Sequence, residues 1–295
     1  MSQLVWLREV LLNVVLGERA QRVLNAGPPP VEAVVDGPAL AAQLQRAVNQ
    51  FKALAMDAGG TQVAYRRLRD HPAYRDFRTN LTPQLQQFNP ATLSDRATQL
   101  AFWINLYNAL VIDAVITFDV QHSVADELAG LSFFQAAAYL IGGLRCSLND
   151  IEHGILRANR GHPFFPGPQF AASDPRRDWV IEPLDPRIHF ALNCASRSCP
   201  PINVYSADQI DQQLELALRS FVAADVTVDP VRGEIHLSRI FDWYRDDFGG
   251  PNGIVQLLRR ALPDDERRTW LLQARRGRLV YRQYDWSLNL GPNSY

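Results

Sequence analysis

The chain has 295 residues, 47% of them apolar and 21% charged, the balance of a packed globular protein that needs no disulfide or metal staple. Its formal net charge is -1 and Lys52 is its only lysine. Arginines therefore carry nearly all the positive charge, and they are scattered among acids rather than massed in a tract, which excludes the profile of a dedicated nucleic-acid binder. Three cysteines, none in a C-x-x-C pair, are too few for a disulfide framework, so a reducing compartment, the cytoplasm, is the expected setting.

In chain order, MSQLVWLREVLLNVVLGERA predicts an amphipathic helix striped by Leu4, Leu7, Leu11, Val14 and Val15. Arg8 and Glu9 interrupt it before a signal-peptide core is complete. No uninterrupted run approaches the ~20 apolar residues that span a bilayer. This helix is the expected surface for a partner or for self-association. The prolines and glycines of Gly27 to Pro38 mark a connector. Helices are predicted at 39–57, 72–87 and 94–118, the third capped by Ser94 or Asp95.

SLNDIEHGILR (147–157) reads as a helix with Ser147 as its cap and Asp150 as the acid of a capping box, which puts Asn149 and His153 on one face and turns Glu152 about 100° away. Gly161 to Trp179 alternates aromatic with turn residues and reads as a long ordered loop of the kind that borders sites. Arg187 to Cys194 reads as a strand, 207–223 as a helix, and VTVDPVRGEIHLS as a hairpin turning near Arg232 and Gly233. Helices near 240–247, 251–261 and 263–274 lead to a final strand, RLVYRQYDW. The sum is one α+β domain over 39–295, rich in helix with a small antiparallel sheet, behind a helical extension and connector at 1–38.

Three segments, AFWINLYNALVIDAVI (101–116), SLNDIEHGILR (147–157) and RIHFALNCASRSCPPI (187–202), with the endings FDWYRDDFG and YDWSLN, resemble the bacterial and plant family catalogued as domain of unknown function 547. The likeness extends over about residues 70–290. It implies a fold similar to papain-like cysteine peptidases, with a cysteine and a histidine as catalytic candidates. In papain-like enzymes the nucleophile sits near the start of the central helix. Here that helix offers asparagine and no cysteine, so the nucleophile has moved to Cys194 or catalysis is lost.

On a continuing strand His189 and Cys194 point to opposite faces, so they meet only if the chain turns at or before Cys194; Ala195 to Ser198 offers that turn. His153 is the other source of a base. A nucleophilic thiol needs a neighbour that favours thiolate, and the histidine that serves it needs an acceptor to fix its tautomer. Cys194 with His153 or His189, oriented by Glu152 or Asp185, supplies these roles; packing alone is the competing reading for each. Cys146 and Cys199 read as packing residues. The buried amides Asn105 and Asn108 read either as clamps on loops or as ligand-holding donors. Asp285, in the final strand, stands either as part of core closure or as a residue facing the site. A tetrahedral zinc set of His153, His189, Cys194 and Cys199 lacks the usual short ligand spacing, and no phosphate-binding glycine motif occurs, so no metal or cofactor is expected.

The leading expectation is thus a cysteine-dependent hydrolase or acyl transferase acting on an amide or thioester of a small peptide-like substrate. The alternative is a non-catalytic module whose degenerate pocket binds a peptide or small ligand. Which histidine serves, and whether Cys194 and Cys199 are bonded to each other, the sequence leaves open.

Overall fold

The structure, a computed structural model, describes residues 22–28, 35–126, 132–273 and 277–291. The amphipathic stripe from Leu4 to Val15 lies outside the described residues. Helix α1 spans Gly37–Ala55 and is capped by Asp36, whose side chain accepts from Ala39 N. Its apolar face, including Leu40, Leu44, Val48 and Phe51, is buried against α2, Arg96–Thr117.

Asp95 caps α2 by accepting from Thr98 N, and from Leu100 to Ile116 every residue is buried. By length and composition α2 could cross a membrane, but its apolar stretch is 94% buried inside the protein, so it is the central core helix. The region read as one helix at 72–87 is broken into Pro72–Asp76, a wide π turn at Phe77–Leu81 and a short turn at Thr82–Gln84. Pro83 accounts for the break, since it removes a backbone donor.

Two strands had no counterpart in the sequence reading. β1 (Ala138–Ile141) and β2 (Leu144–Ser147) pair antiparallel around Gly142 and Gly143, whose φ values of 55° and 75° suit a tight hairpin. The overlooked signal was Gly-Gly between two apolar runs. Beyond it, α3 (Ile210–Asp225), β3 (Thr227–Asp229), β4 (Glu234–Leu237), α4 (Gly250–Ala261), α5 (Glu266–Gln273) and β5 (Arg278–Tyr281) follow close to their expected places. β3 and β4 form the expected antiparallel hairpin, whereas β5 adds parallel to β4. The second sheet is therefore mixed rather than purely antiparallel, and the fold is α+β with a helix-rich core.

The segment Arg187 to Cys194 is not a strand. Pro186–Phe190 is a 3-10 helix whose cap, Asp185, accepts from Arg187 N and also grips the Arg187 guanidinium at 2.8 Å. Proline at the first helical position, preceded by an aspartate cap, overrides the apolar alternation. The opposite-face restriction on His189 and Cys194 falls with the strand.

Two buried polar clusters tie the layers together. Asp113, fully buried in α2, accepts from Tyr74 Oη at 2.7 Å, Tyr139 Oη at 2.8 Å and Arg78 Nη1 at 2.8 Å, joining the 65–82 region to β1. The C-terminal stretch at 284–291 runs beside the cysteine loop, with Asn289 N donating to Ala195 O at 2.9 Å and Arg197 N to Ser287 O at 2.9 Å. Leu288 N donates to His122 O at 2.7 Å, which ties the same stretch to the end of α2. Replacing Asp113 by alanine leaves two buried phenols and a guanidinium without their shared acceptor. Asp113→Ala should lower the unfolding free energy by about 3 kcal/mol, read from the midpoint of urea denaturation; an unchanged midpoint would contradict this account of the core.

Candidate functional site

The segment 147–157 folds as its capping signal requires at the start and departs from it afterwards. Ser147 N and Oγ both donate to Asp150 Oδ2, at 2.9 and 2.8 Å, and Asp150 N donates back to Ser147 Oγ at 3.2 Å. The turn that follows, Asp150–Leu156, is a π-helix rather than an α-helix. Such wide turns are uncommon and recur at functional sites. Gly154 lets it lie against the Phe170 ring, since a Cβ there would sit 2.3 Å from ring carbons. Glu152 and His153 both line one cavity, although they were expected to lie on different faces.

That cavity encloses about 100 Å³, room for several waters or one small organic group. Glu152, His153, His189, Cys194 and Cys199 all line it, walled by Tyr107, Trp243, Tyr244, Tyr284 and Trp286. His162 and Phe164, from the loop expected to border a site, line it as well. The Phe164 ring is mostly exposed and meets Trp243 edge-on at 6.0 Å between centroids.

His189 is held by a residue the sequence reading overlooked. Its Nε2 lies 2.8 Å from Asp247 Oδ2. Burial pushes the Asp247 carboxyl up, but hydrogen bonds from His189 and Arg157 outweigh it and hold the group well below the usual carboxylate range. An ionised Asp247 must accept, so Nε2 carries the ring proton and Nδ1 keeps its lone pair. Among the described residues no hydrogen bond engages Nδ1. Burial pushes the His189 pKa down, Asp247 opposing, which favours the neutral ring. It stacks on Tyr244 with centroids 3.8 Å apart.

His153 is arranged differently. Arg157 Nη1 lies 3.3 Å from its Nδ1, and a guanidinium can only donate. Nδ1 is therefore an acceptor already engaged. Burial drives the His153 pKa down to about 3, against the opposing pull of Glu152. Glu152 accepts from Tyr107 Oη at 2.8 Å and Tyr244 Oη at 2.5 Å. Burial raises its pKa, but His153 and the two phenols together hold it below the usual value. Glu152 thus lies beside His153, with Oε1 3.8 Å from Nδ1, while Asp247 holds the orienting position at His189.

Cys194 and Cys199 are joined in a disulfide, their Cα atoms 5.9 Å apart. Ala195, buried in the turn between them, has φ 64°, in the left-handed region uncommon for a residue with a side chain. Tyr284 Oη sits 3.3 Å from each sulfur, Ser196 Oγ 3.3 Å from Cys194 Sγ, and Cys194 N donates to Cys199 Sγ at 2.8 Å. Among the described residues no histidine nitrogen hydrogen-bonds to either sulfur. Cys146 is a free, buried thiol whose pKa burial raises, in line with a packing role.

The three residues considered for substrate binding lie elsewhere. Asn105 exchanges two hydrogen bonds with the Tyr205 backbone, at 2.7 and 2.9 Å. Asn108 spans the approach to the cysteine turn, donating to Ala191 O at 3.0 Å and accepting from Asn193 N at 2.9 Å. Both amides act as clamps on the chain, and neither lines the cavity. Asp285 is exposed and accepts from Ser287 N at 2.9 Å. Asp185 serves as the cap described above and does not reach His189.

Residues 90–222 match the family model described as Protein of unknown function, DUF547. That span is narrower than the likeness over 70–290 read from the sequence. It contains Glu152, His153, His189 and both cysteines, whereas Trp243, Tyr244, Asp247, Tyr284 and Trp286 lie beyond it. The DUF547 match therefore supplies one side of the cavity and the C-terminal region the other. No curated protein and no solved structure matches the chain.

An unfolded histidine titrates near pH 6.5, whereas folded His153 resists protonation down to about pH 3. The unfolded chain binds the extra proton between those values, so this contribution to stability is complete above pH ~6.5 and is lost as the pH falls. His153→Gln should flatten the decline in stability between pH 6.5 and 4, measured by urea denaturation at each pH. Parallel curves for the two proteins would contradict a neutral, buried His153.

Proposed function

We propose that the cavity is a cysteine-dependent acyl-transfer or hydrolytic site acting on an amide or thioester of a small peptide-like substrate. Cys194 in its reduced form is the nucleophile, His189 the base, and Asp247 the residue that orients it. The observation that carries this reading is the His189–Asp247 pair. It fixes the proton on Nε2 and leaves Nδ1 basic in a cavity whose wall also holds Cys194. An imidazole held by a carboxylate on one nitrogen and free on the other is the arrangement that activates a thiol or hydroxyl.

In the reaction the Cys194 thiol gives its proton to His189 Nδ1 and the sulfur attacks the acyl carbon. The imidazolium then returns a proton to the departing amine or thiol, and water or a second acceptor takes the acyl group from sulfur. The ring of Tyr244 stacked on His189, with the tryptophans opposite, keeps this step out of bulk water. The chemistry needs the Cys194–Cys199 bond open, the state that a reducing compartment such as the cytoplasm favours.

A second reading is favoured by one observation. The sulfurs are bonded to each other and hydrogen-bonded to Tyr284 and Ser196 rather than to a histidine. On that reading the aromatic cavity binds a peptide or small ligand without catalysis. The pH dependence of iodoacetamide alkylation of Cys194, resolved by mass spectrometry in the reduced protein, separates the two. The catalytic reading predicts an apparent pKa well below the free-thiol value of ~8.5, restored toward that value in His189→Ala and unaffected by His153→Gln. A Cys194 that titrates as a free thiol in all three proteins would leave the binding reading.

A further inference from the structure

We propose that the Cys194–Cys199 disulfide is a thiol-exchange site, opened by small cationic aminothiols that enter the cavity and attack Cys194. The inference goes beyond acyl transfer and does not depend on it. Three features of the cavity support it. Both cysteines line the cavity rather than the protein interior, so a thiolate inside it reaches the bond. Hydrogen-bond donors are gathered around the sulfurs, and they are unequal. Cys199 Sγ receives the Cys194 backbone N–H at 2.8 Å as well as contacts from Tyr284 Oη at 3.3 Å and Ser196 Oγ at 3.5 Å. Among the described residues Cys194 Sγ has Tyr284 and Ser196 alone. A fixed amide donor stabilises negative charge on Cys199, which makes Cys199 the better leaving thiolate and Cys194 the atom attacked.

The third feature is charge. Among the described residues that line the cavity Glu152 is the one carboxylate and none is a lysine or arginine; Arg157, behind His153 and Tyr244, is paired with Asp247. Glu152 is held in its ionised form by two phenols, and the surrounding walls present the faces of tyrosines and tryptophans. A carboxylate set among aromatic rings favours a cationic group over an anionic one. The cavity admits a small molecule such as cysteamine, which carries an ammonium two carbons from its sulfur.

The exchange balances in two steps. The aminothiolate forms a bond to Cys194 Sγ, the Cys194–Cys199 bond breaks, and the electron pair leaves on Cys199 Sγ, which is then protonated. A second aminothiolate attacks the sulfur of the first, releasing the symmetrical small-molecule disulfide and leaving Cys194 as a thiolate. Once the Cys194 thiolate is protonated in turn, the protein has gained two electrons and two protons, and two aminothiols are oxidised to one disulfide.

Three measurements on the full-length oxidised protein test this. Cysteamine should open the disulfide at least tenfold faster than mercaptoacetate, each rate divided by that thiolate's rate with a small exposed disulfide such as oxidised glutathione. Cys199→Ser incubated with cystamine should hold a single cysteamine adduct on Cys194, located by mass spectrometry. Tyr284→Phe, which keeps the ring against Trp243 and Trp286, should slow opening by roughly tenfold, the loss expected for one hydrogen bond to a developing charge; Ser196→Ala gives a second variant on the same donor set. Equal normalised rates for the two thiols, or a disulfide that opens only on unfolding, would overturn the proposal. Opening by a phosphine reductant gives the alkylation profile of Cys194 independently, so a failed exchange and a failed acyl-transfer reading are distinguishable.

Discussion

The site depends on one buried carboxylate. The Asp247 side chain is 1% exposed and receives three cationic or polarisable partners, His189 Nε2 at 2.8 Å, Arg157 Nε at 2.7 Å and Arg160 Nη1 at 3.1 Å. Two of these come from the exit of the π turn, one from the 3-10 helix that precedes the cysteine turn, and Asp247 itself from the C-terminal region. Burying a charge without partners costs several kcal/mol, so the three segments are held in one arrangement by the need to satisfy it. The same constraint sets the chemistry of both histidines. Asp247 fixes the His189 tautomer, and the Arg157 guanidinium it anchors occupies the acceptor nitrogen of His153.

The two histidines consequently do different things. His153 is locked, with its basic nitrogen engaged and its ring kept neutral by burial. His189 retains a lone pair on Nδ1. Glu152 lines the same cavity and places a carboxylate beside His153. The disulfide adds a third element, because it removes the thiol while it is closed and releases one when opened. The proposed exchange at the disulfide and the proposed acyl transfer at the thiol would thereby share Cys194.

Much of this was legible in the sequence where a local signal decided the backbone. Asp95 and the Ser147–Asp150 pair capped what their positions implied, the uniformly apolar α2 proved to be the core helix, and the 226–238 stretch formed its hairpin. The cysteine turn, the Glu152–His153 pair and His189 were singled out and do share a cavity. What failed was the reading of periodicity against punctuation. Apolar alternation suggested a strand at Arg187 to Cys194, but Asp185 and Pro186 impose a 3-10 turn. Asp247 and the walls formed by Trp243, Tyr244, Tyr284 and Trp286 were not legible as site residues, because their relation to His189 and Cys194 exists only once segments far apart in the chain are packed. The asparagines of α2 could be read as clamps or as ligand donors, and their backbone partners, at Tyr205 and at Ala191 and Asn193, were not legible because they are equally remote in the chain.

The central claim is that opening the disulfide couples Cys194 to His189. Nitrogen-15 NMR of histidine-labelled protein, oxidised and then reduced, observes that coupling directly. The oxidised protein should show His189 at neutral pH as the neutral tautomer protonated on Nε2. On reduction its titration should move upward as a thiolate forms beside Nδ1, and the shift should vanish in Cys194→Ser. A His189 signal that is the same in both redox states would contradict the account.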